Sequence, residues 1–292
     1  METGLSVIVP AYNEIDSIQN TIEDLINILD NSLYEIIVVD DKSTDGTFDI
    51  IRNINGIKVI THRKNKGYGA SIKSGVLESK YDFIAITDAD GTYPNSKIPS
   101  LLTVLNNDSA DMVVGSRTGT NVNIPLVRKP AKWFIGKLAN YVVNKKIPDI
   151  NSGLRIFKKS IFLKFFSIIP DGFSLTTTIT LGMLSGNYNV KFIPIDYFKR
   201  SGKSKIRPIH DTVNFIKLIL KIGLYFAPLK IFFPISILFI FTAIIWGVFS
   251  KYYLGNLADL SSLIIAMTGF NIAMLAFISE LINHRLPNSY KK

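Results

Sequence analysis

Residues 83–90 read Phe-Ile-Ala-Ile-Thr-Asp-Ala-Asp, an apolar run that ends in two carboxylates one residue apart. A continuous apolar stretch this short, rich in β-branched side chains, fits a strand covered on both faces. Similar runs lie at Leu5–Val9, Glu35–Val39, Lys58–Thr61 and Met112–Val114. Between the first three, and before Phe83, the apolar residues fall at helical spacing. Ile15, Ile18, Ile22, Leu25, Ile26 and Leu29 form one stripe, Phe48, Ile51 and Ile54 a second, and Ala70 to Ser79 a third. This alternation predicts βαβ units and an α/β, Rossmann-like domain with a mostly parallel sheet. Such sheets bind ligands outside the carboxyl ends of their strands. Polar residues follow three of the strands there: Pro10-Ala11-Tyr12-Asn13-Glu14, Asp40 through Gly46, and Asp88-Ala89-Asp90.

Further along, Arg117 to Gly153 reads as loop-rich and basic at Arg128, Lys129 and Lys132, with an amphipathic stretch around Trp133–Val143. A helix is expected over Gly172–Ser185 and a strand over Lys191–Ile195. Pro208 to Tyr225 reads as a helix lying on a bilayer, with Lys217 and Lys221 four apart on one face. The chain has 292 residues, 47% apolar and 19% charged, and a mean hydropathy of +0.26. The apolar excess sits at the end, where Ile231–Ser250 and Leu260–Ser279 are each 20 residues without a charge. Each is long enough to cross about 30 Å of hydrocarbon as a helix. The expected organisation is a globular α/β domain over 1–207, an interfacial helix over 208–228, two transmembrane helices within 229–283 (about 231–250 and 260–282) and a basic tail over 284–292. Lysine and arginine flank both outer ends of the pair, so both ends are expected in the cytosol. The N-terminus lacks the pattern of a signal peptide, so the globular part is again expected in the cytosol.

The net charge is +10, and up to Lys230 the chain carries 29 basic against 21 acidic residues. That excess fits phosphate-bearing substrates or an anionic membrane surface. No basic block interleaved with aromatics occurs, so nucleic acid is not an expected partner. The absence of cysteine excludes thiol nucleophiles, thiolate zinc clusters and disulfide scaffolds. Neither G-x-G-x-x-G after the first strand nor G-x-x-x-x-G-K-[ST] is present, which argues against a nicotinamide enzyme or a P-loop ATPase.

Two carboxylates at a strand mouth can share a hard divalent cation that also takes diphosphate oxygens, which singles out Asp88 and Asp90. Asp40, Asp41 and Glu14 are candidate acceptors for a base or ribose. Ser43, Thr44 and Asp45 just precede a helix and are expected to cap it. His62, His210 and His284 share no metal spacing and are expected to be structural or surface residues.

Val9 to Glu14, Val38 to Gly46, Asn65 to Ala70 and Asp88-Ala89-Asp90, in that order, resemble the GT-A glycosyltransferases of family 2. Gly115-Ser116-Arg117, Asp149-Ile150-Asn151-Ser152-Gly153-Leu154-Arg155 and Arg200 to Lys205 resemble its polyprenyl-phosphate branch, the dolichyl-phosphate mannosyltransferase and undecaprenyl-phosphate glucosyltransferase type. The resemblance implies a GT-A domain in which Pro10, Tyr12, Glu14, Val39 and Asp41 hold the base and ribose of a nucleotide sugar. Asp88, Ala89 and Asp90 would hold its diphosphate through Mg²⁺ or Mn²⁺. Arg117, Arg128 and Arg200, joined by Lys205, would grip donor and acceptor phosphates. Relatives often carry a glutamine as a further metal ligand where this chain has Thr92, which implies the Thr92 hydroxyl as the third protein ligand, directly or through water. The Q-x-x-R-W motif of processive synthases is absent, so polymer synthesis is not expected.

The implied reaction is metal-dependent, inverting transfer of one sugar, of the GDP-mannose or UDP-glucose type, to a dolichyl or undecaprenyl phosphate at the cytosolic membrane face. Transfer to another lipid, or a non-catalytic membrane scaffold keeping the fold, are the alternatives. The sequence does not fix the oligomeric state, and a homo-oligomer is compatible with it.

Overall fold

The computed structural model describes residues 4–29, 33–120, 129–172, 174–198, 208–255 and 259–285. Contacts divide the chain into two compact units, one running to Ile216 and the other starting at Lys217.

In the first unit the strand–helix alternation is present from the start. It runs β1 (Leu5–Ala11), α1 (Ile18–Leu29), β2 (Tyr34–Asp40), α2 (Thr47–Ile51), β3 (Ile57–Thr61), α3 (Tyr68–Glu78) and β4 (Phe83–Ile86). Then come α4 (Ile98–Asn107), β5 (Met112–Ser116), α5 (Lys129–Val143), β6 (Arg155–Lys158), α6 (Lys159–Lys164), α7 (Leu175–Ser185) and β7 (Val190–Pro194). The seven strands form one sheet in the order β3-β2-β1-β4-β6-β5-β7. Parallel neighbours need a crossover, and α1, α2 and α3 supply it. The register sets Val9 beside Val38 and Ile8 beside Ile86, so β1, β2 and β4 finish at one edge. The expected stripe of α1 packs on the sheet. Ile18, Ile22 and Leu25 are fully buried, each contributing about 1.5–3 kcal/mol of apolar transfer.

One strand was not expected. β6 runs antiparallel between β4 and β5, with Arg155 paired to Ile86 on one side and Val114 on the other. An arginine at its head and a length of four residues hide it from a search for apolar runs. This strand carries the segment just before it, residues 149–154, onto the same edge of the sheet as Asp88.

The second unit contains α9 (Pro228–Tyr253) and α10 (Asp259–Arg285), following α8 (Pro208–Phe226), whose N-terminal part belongs to the first. On α8, Ile219 and Ile222 are buried, while Lys217, Lys221, Leu220, Leu224 and Tyr225 are exposed. The antiparallel pairing of α9 with α10 is visible in matched contacts. Trp246 Nε1 donates to Ser261 Oγ at 2.9 Å, and Phe233 meets Phe277 edge-on at 6.2 Å. Small residues let the backbones approach: a side chain at Gly269 would meet the Ser236 carbonyl at 3.0 Å. Both helices are long and apolar enough to cross a membrane. Their outer faces expose Leu238, Phe241, Ile245, Leu263 and Phe270, an apolar exterior that water would oppose.

Candidate active site

At the carboxyl edge of β1, β2 and β4 lies a cavity of about 300 Å³. Pro10, Tyr12, Glu14, Asp41, Asp88, Ala89 and Asp90, all expected at a donor site, line it together. The turns that carry them are tied to one another. Asn13 adopts a left-handed backbone (φ 51°), its amide donates to Ser43 Oγ at 3.0 Å, and its side-chain carbonyl accepts the Thr44 amide at 2.8 Å. Glu14 N donates to Thr47 Oγ1 at 2.9 Å and Ile15 N to Asp45 Oδ2 at 3.2 Å. Ser43 to Asp45 therefore lace the β2–α2 turn to the β1–α1 turn. Only Asp45 also serves the helix start, through the Thr47 amide at 3.0 Å. Burial opposes ionisation of Asp45, but the Thr47 and Ile15 hydrogen bonds prevail and hold its carboxyl below the usual range.

Asp41 is almost fully enclosed. Its oxygens accept from His62 Nδ1 at 2.7 Å, the Lys66 amide at 2.8 Å and the Gly67 amide at 2.7 Å. Gly67 opens α3 at φ 101°, a conformation that costs a side chain dearly, and a Cβ there would lie 2.6 Å from the Asp171 carbonyl. His62 is thus neither isolated nor on the surface: it is 5% exposed and its ring is bonded to a carboxylate of the cavity. Nothing in a lone histidine after a strand signals this.

The two carboxylates after β4 are each oriented by a hydroxyl. Tyr68 donates its hydroxyl to Asp88 Oδ1 at 2.9 Å, and Thr92 donates to Asp90 Oδ1 through Oγ1 at 2.6 Å and through its amide at 3.2 Å. Burial, and then the Asp88 carboxylate, hold the Tyr68 hydroxyl protonated well above the usual tyrosine range. Thr92 is fully buried and is not among the residues lining the cavity; the structure places its hydroxyl on Asp90. Val39 is also fully buried in β2 and does not line it. Ala11, Asn65, Gly67, Tyr68 and Ser71 do, of which the first four stand in motifs that the sequence had marked without assigning them a place in the site.

Behind Asp88 the segment before β6 closes the arrangement. Gly153 lies so near that a Cβ on it would be 2.8 Å from Asp88 Oδ1, and its amide donates to the Tyr93 hydroxyl at 2.7 Å. Tyr93 meets Tyr197 edge-on at 5.3 Å, and the Arg117 guanidinium lies 5.1 Å from the Tyr197 ring centroid. Arg117 forks onto Asp149, Nε to Oδ2 at 2.7 Å and Nη2 to Oδ1 at 2.9 Å. Burial works against that charge, yet Tyr93 and Asp149 outweigh it and raise the pKa of Arg117 well above its ordinary value. Arg117 is thus held as one half of an ion pair over the Tyr197 ring and is not among the residues lining the cavity, with Nη1 uncommitted among the described residues. Arg128, Arg200 and Lys205 lie outside the described residues.

Arg155, quoted in a motif but assigned no role, is fully buried beneath this cluster. It donates to the Ser152 and Thr176 carbonyls and to Thr180 Oγ1, while its Nε has no partner among the described residues. Burial pulls its pKa down to about 10. Its bond to Ser152 anchors the backbone that sets Gly153 against Asp88.

The donor set at Asp88 and Asp90 is hard oxygen, with neither imidazole nor sulfur, and suits Mg²⁺ or Mn²⁺. Among the described residues no group of three or more His, Cys, Asp or Glu could hold a metal. The remaining ligands of a cation at this pair would have to come from phosphate and water.

The family model for glycosyl transferase family 2 matches residues 6–166, and the model for the GtrB C-terminal hairpin matches residues 227–284. A dolichyl-phosphate hexose transferase of Haloferax volcanii is 28% identical over 221 residues, covering 75% of this chain and 94% of that protein. An undecaprenyl-phosphate mannosyltransferase of Micrococcus luteus is 30% identical over 212 residues, covering 68% and 86%. Glucosyl-3-phosphoglycerate synthase from Mycobacterium tuberculosis, crystallised with Mn²⁺, UDP and phosphoglyceric acid, superposes with a TM-score of 0.60 at 17% identity, covering 76% of this chain and 78% of that one. That likeness establishes the GT-A fold.

Proposed function

Because this chain belongs to glycosyl transferase family 2 and is a glycosyltransferase, we propose that it transfers one sugar from a nucleotide sugar to a polyprenyl phosphate, with inversion. The observation that carries the reading is the convergence of Glu14, Asp41, Asp88 and Asp90 on one cavity. The named activities of the Haloferax and Micrococcus relatives supply the acceptor class.

Glu14 and Asp41 at the ends of β1 and β2 serve the nucleoside, and Asp88 and Asp90 face its diphosphate. Those two carboxylates would hold Mg²⁺ or Mn²⁺, which when bound neutralises the leaving diphosphate. Tyr68 and Thr92 keep the carboxylates aimed without taking part in the chemistry. A phosphate monoester has a second pKa of about 6, so the acceptor arrives as a dianion and needs no side-chain base. Its oxygen attacks the anomeric carbon from the face opposite the diphosphate, the new C–O bond forming as the bond to the nucleoside diphosphate breaks. Arg117, held by Asp149, offers N–H donors to a phosphate oxygen, and the fork geometry of arginine suits that partner. Arg128, Arg200 and Lys205 are assigned to the same phosphates. The rate then rests on positioning and on fixed cationic donors.

The two apolar helices are assigned to a membrane-spanning hairpin with both ends in the cytosol, which would keep the acceptor's lipid tail in the same bilayer as the enzyme. The test is transfer of labelled sugar from a panel of nucleotide sugars to polyprenyl phosphate by the full-length protein in detergent, with and without chelator. Transfer that chelation and Asp90→Ala abolish, with an unchanged melting profile, supports the reading. Wild-type turnover in Asp90→Ala refutes the role of the carboxylate pair, and lack of lipid product with every donor refutes the acceptor class.

A further inference from the structure

The Asp88–Asp90 pair carries no information about the nucleobase, whereas the hydrogen bonds on Asp41 bear on it. A carboxylate offers about four acceptor positions, two on each oxygen. On Asp41, Oδ1 takes His62 Nδ1 and the Lys66 amide, and Oδ2 takes the Gly67 amide. A carboxylate only accepts, so Nδ1 of His62 carries the proton between them. The other ring nitrogen lies 2.9 Å from Ser74 Oγ, which fixes the ring from its far side. Both the His62 and Asp41 side chains are 4% exposed, so this arrangement is enclosed by the fold. Among the described residues these are all the hydrogen bonds of the carboxylate. Oδ1 is saturated, and one position is left, on Oδ2, in a residue that lines the cavity.

Nucleobases present different donor patterns to such an acceptor. The imide edge of uracil shows one N–H between two carbonyls. Guanine shows its ring N–H and an amino N–H side by side, a pair that matches a carboxylate with both oxygens open. Resting on the nucleotide-sugar reading above, we propose that His62 makes this a uridine site: by occupying Oδ1 it leaves Asp41 a single acceptor, which N3–H of uracil satisfies and the paired donors of guanine do not. Asn65, also on the cavity wall, carries an amide of the kind that would donate to a flanking uracil carbonyl. Bound guanine would present two adjacent donors of which Asp41 can match one, a penalty that sets a preference of about tenfold or more for the uridine nucleotide.

The test is titration calorimetry of UDP and GDP, each with Mn²⁺, on the full-length protein in detergent. UDP is expected to bind about tenfold or more tighter than GDP. His62→Phe keeps a ring but removes the donor on Oδ1, and should narrow that ratio at least about threefold. Ser74→Ala, which only loosens the ring, should move it the same way by less and keeps the test open if the first variant fails to fold. The ratio is insensitive to a simple loss of folded protein, because both nucleotides titrate the same folded fraction. Equal or tighter binding of GDP to the wild type overturns the proposal while leaving the glycosyltransferase reading in place. A ratio unmoved in every variant that folds overturns the role of His62. Failure of both nucleotides to bind overturns the nucleotide-sugar reading itself, and the proposal with it.

Discussion

A methyl group at residue 153 tests whether the Asp88 carboxylate has to stay where it is. Built on the Gly153 backbone, the Cβ falls 2.8 Å from Asp88 Oδ1 and 2.9 Å from Oδ2. Non-bonded heavy atoms settle at about 3.5 Å, so the carboxylate must retreat by about 0.7 Å. The obstacle is the end of a side chain, and the fold can absorb the change for about 1–3 kcal/mol. The retreat also pulls Asp88 off the Tyr68 hydroxyl, now 2.9 Å away, and away from the position from which it would hold a cation. A misplacement of about 1 Å at a reacting centre costs about a hundredfold in rate. Gly153→Ala is therefore expected to lower kcat about ten- to a hundredfold, to require more Mn²⁺ for half-maximal rate, and to melt within several degrees of the wild type. Gly172→Ala, whose Cβ would meet nothing within 4 Å, is the control. The assay is labelled sugar transfer at saturating donor across a Mn²⁺ series, beside thermal unfolding. Turnover of Gly153→Ala within twofold of the wild type, at unchanged Mn²⁺ dependence, would refute the placement of Asp88.

Three further outcomes are expected. The folded chain keeps the Tyr68 proton that the unfolded chain releases above about pH 10, so this contribution is whole below that pH and is lost as pH rises through the higher folded value. Burial holds Arg155 down at about 10, which gives the opposite slope in the same window. The comparison is therefore between wild type and Tyr68→Phe in urea from pH 8 to 11, where the variant should lose less stability and parallel curves would count against the buried hydroxyl. Asp149→Asn breaks the fork on Arg117 at a site where the carboxylate is 1% exposed, and should cost about 3 kcal/mol. It should also raise KM for polyprenyl phosphate more than for the donor; an equal rise would deny Arg117 its acceptor contact. Finally, with two carboxylates as the candidate ligands from the described residues, Mn²⁺ should bind at least about tenfold tighter when a nucleoside diphosphate is present. Electron paramagnetic resonance reads free Mn²⁺ directly, and equal affinity without nucleotide would show a site already complete.

The amino-acid sequence carries its own boundaries wherever local pattern and chemistry coincide. Phe83 to Asp90 is an apolar strand that ends in carboxylates, and the rule that ligands sit at strand ends placed Asp88, Asp90, Asp41 and Glu14 at one site. The same holds for α9 and α10, because 20 uncharged residues are legible without a partner. Ser43 to Asp45 show the limit of this reasoning: a polar run before a helix reads as a cap, yet Ser43 and Thr44 bond to Asn13, 30 and 31 residues away.

What the tertiary structure alone decided is which residues stand behind the carboxylates. Asp41 is completed by His62, 21 residues on, and Asp88 is bounded by Gly153, which β6 carries back between β4 and β5. Periodicity reports whether a side chain is buried, not what it is buried against. An antiparallel strand headed by a charge has no apolar signature, and Arg155 is tolerated there because carbonyls and a hydroxyl from distant segments meet its guanidinium. Residue types and strand ends are local properties and survive in one dimension; hydrogen-bond partners across a sheet exist only once its strand order is set.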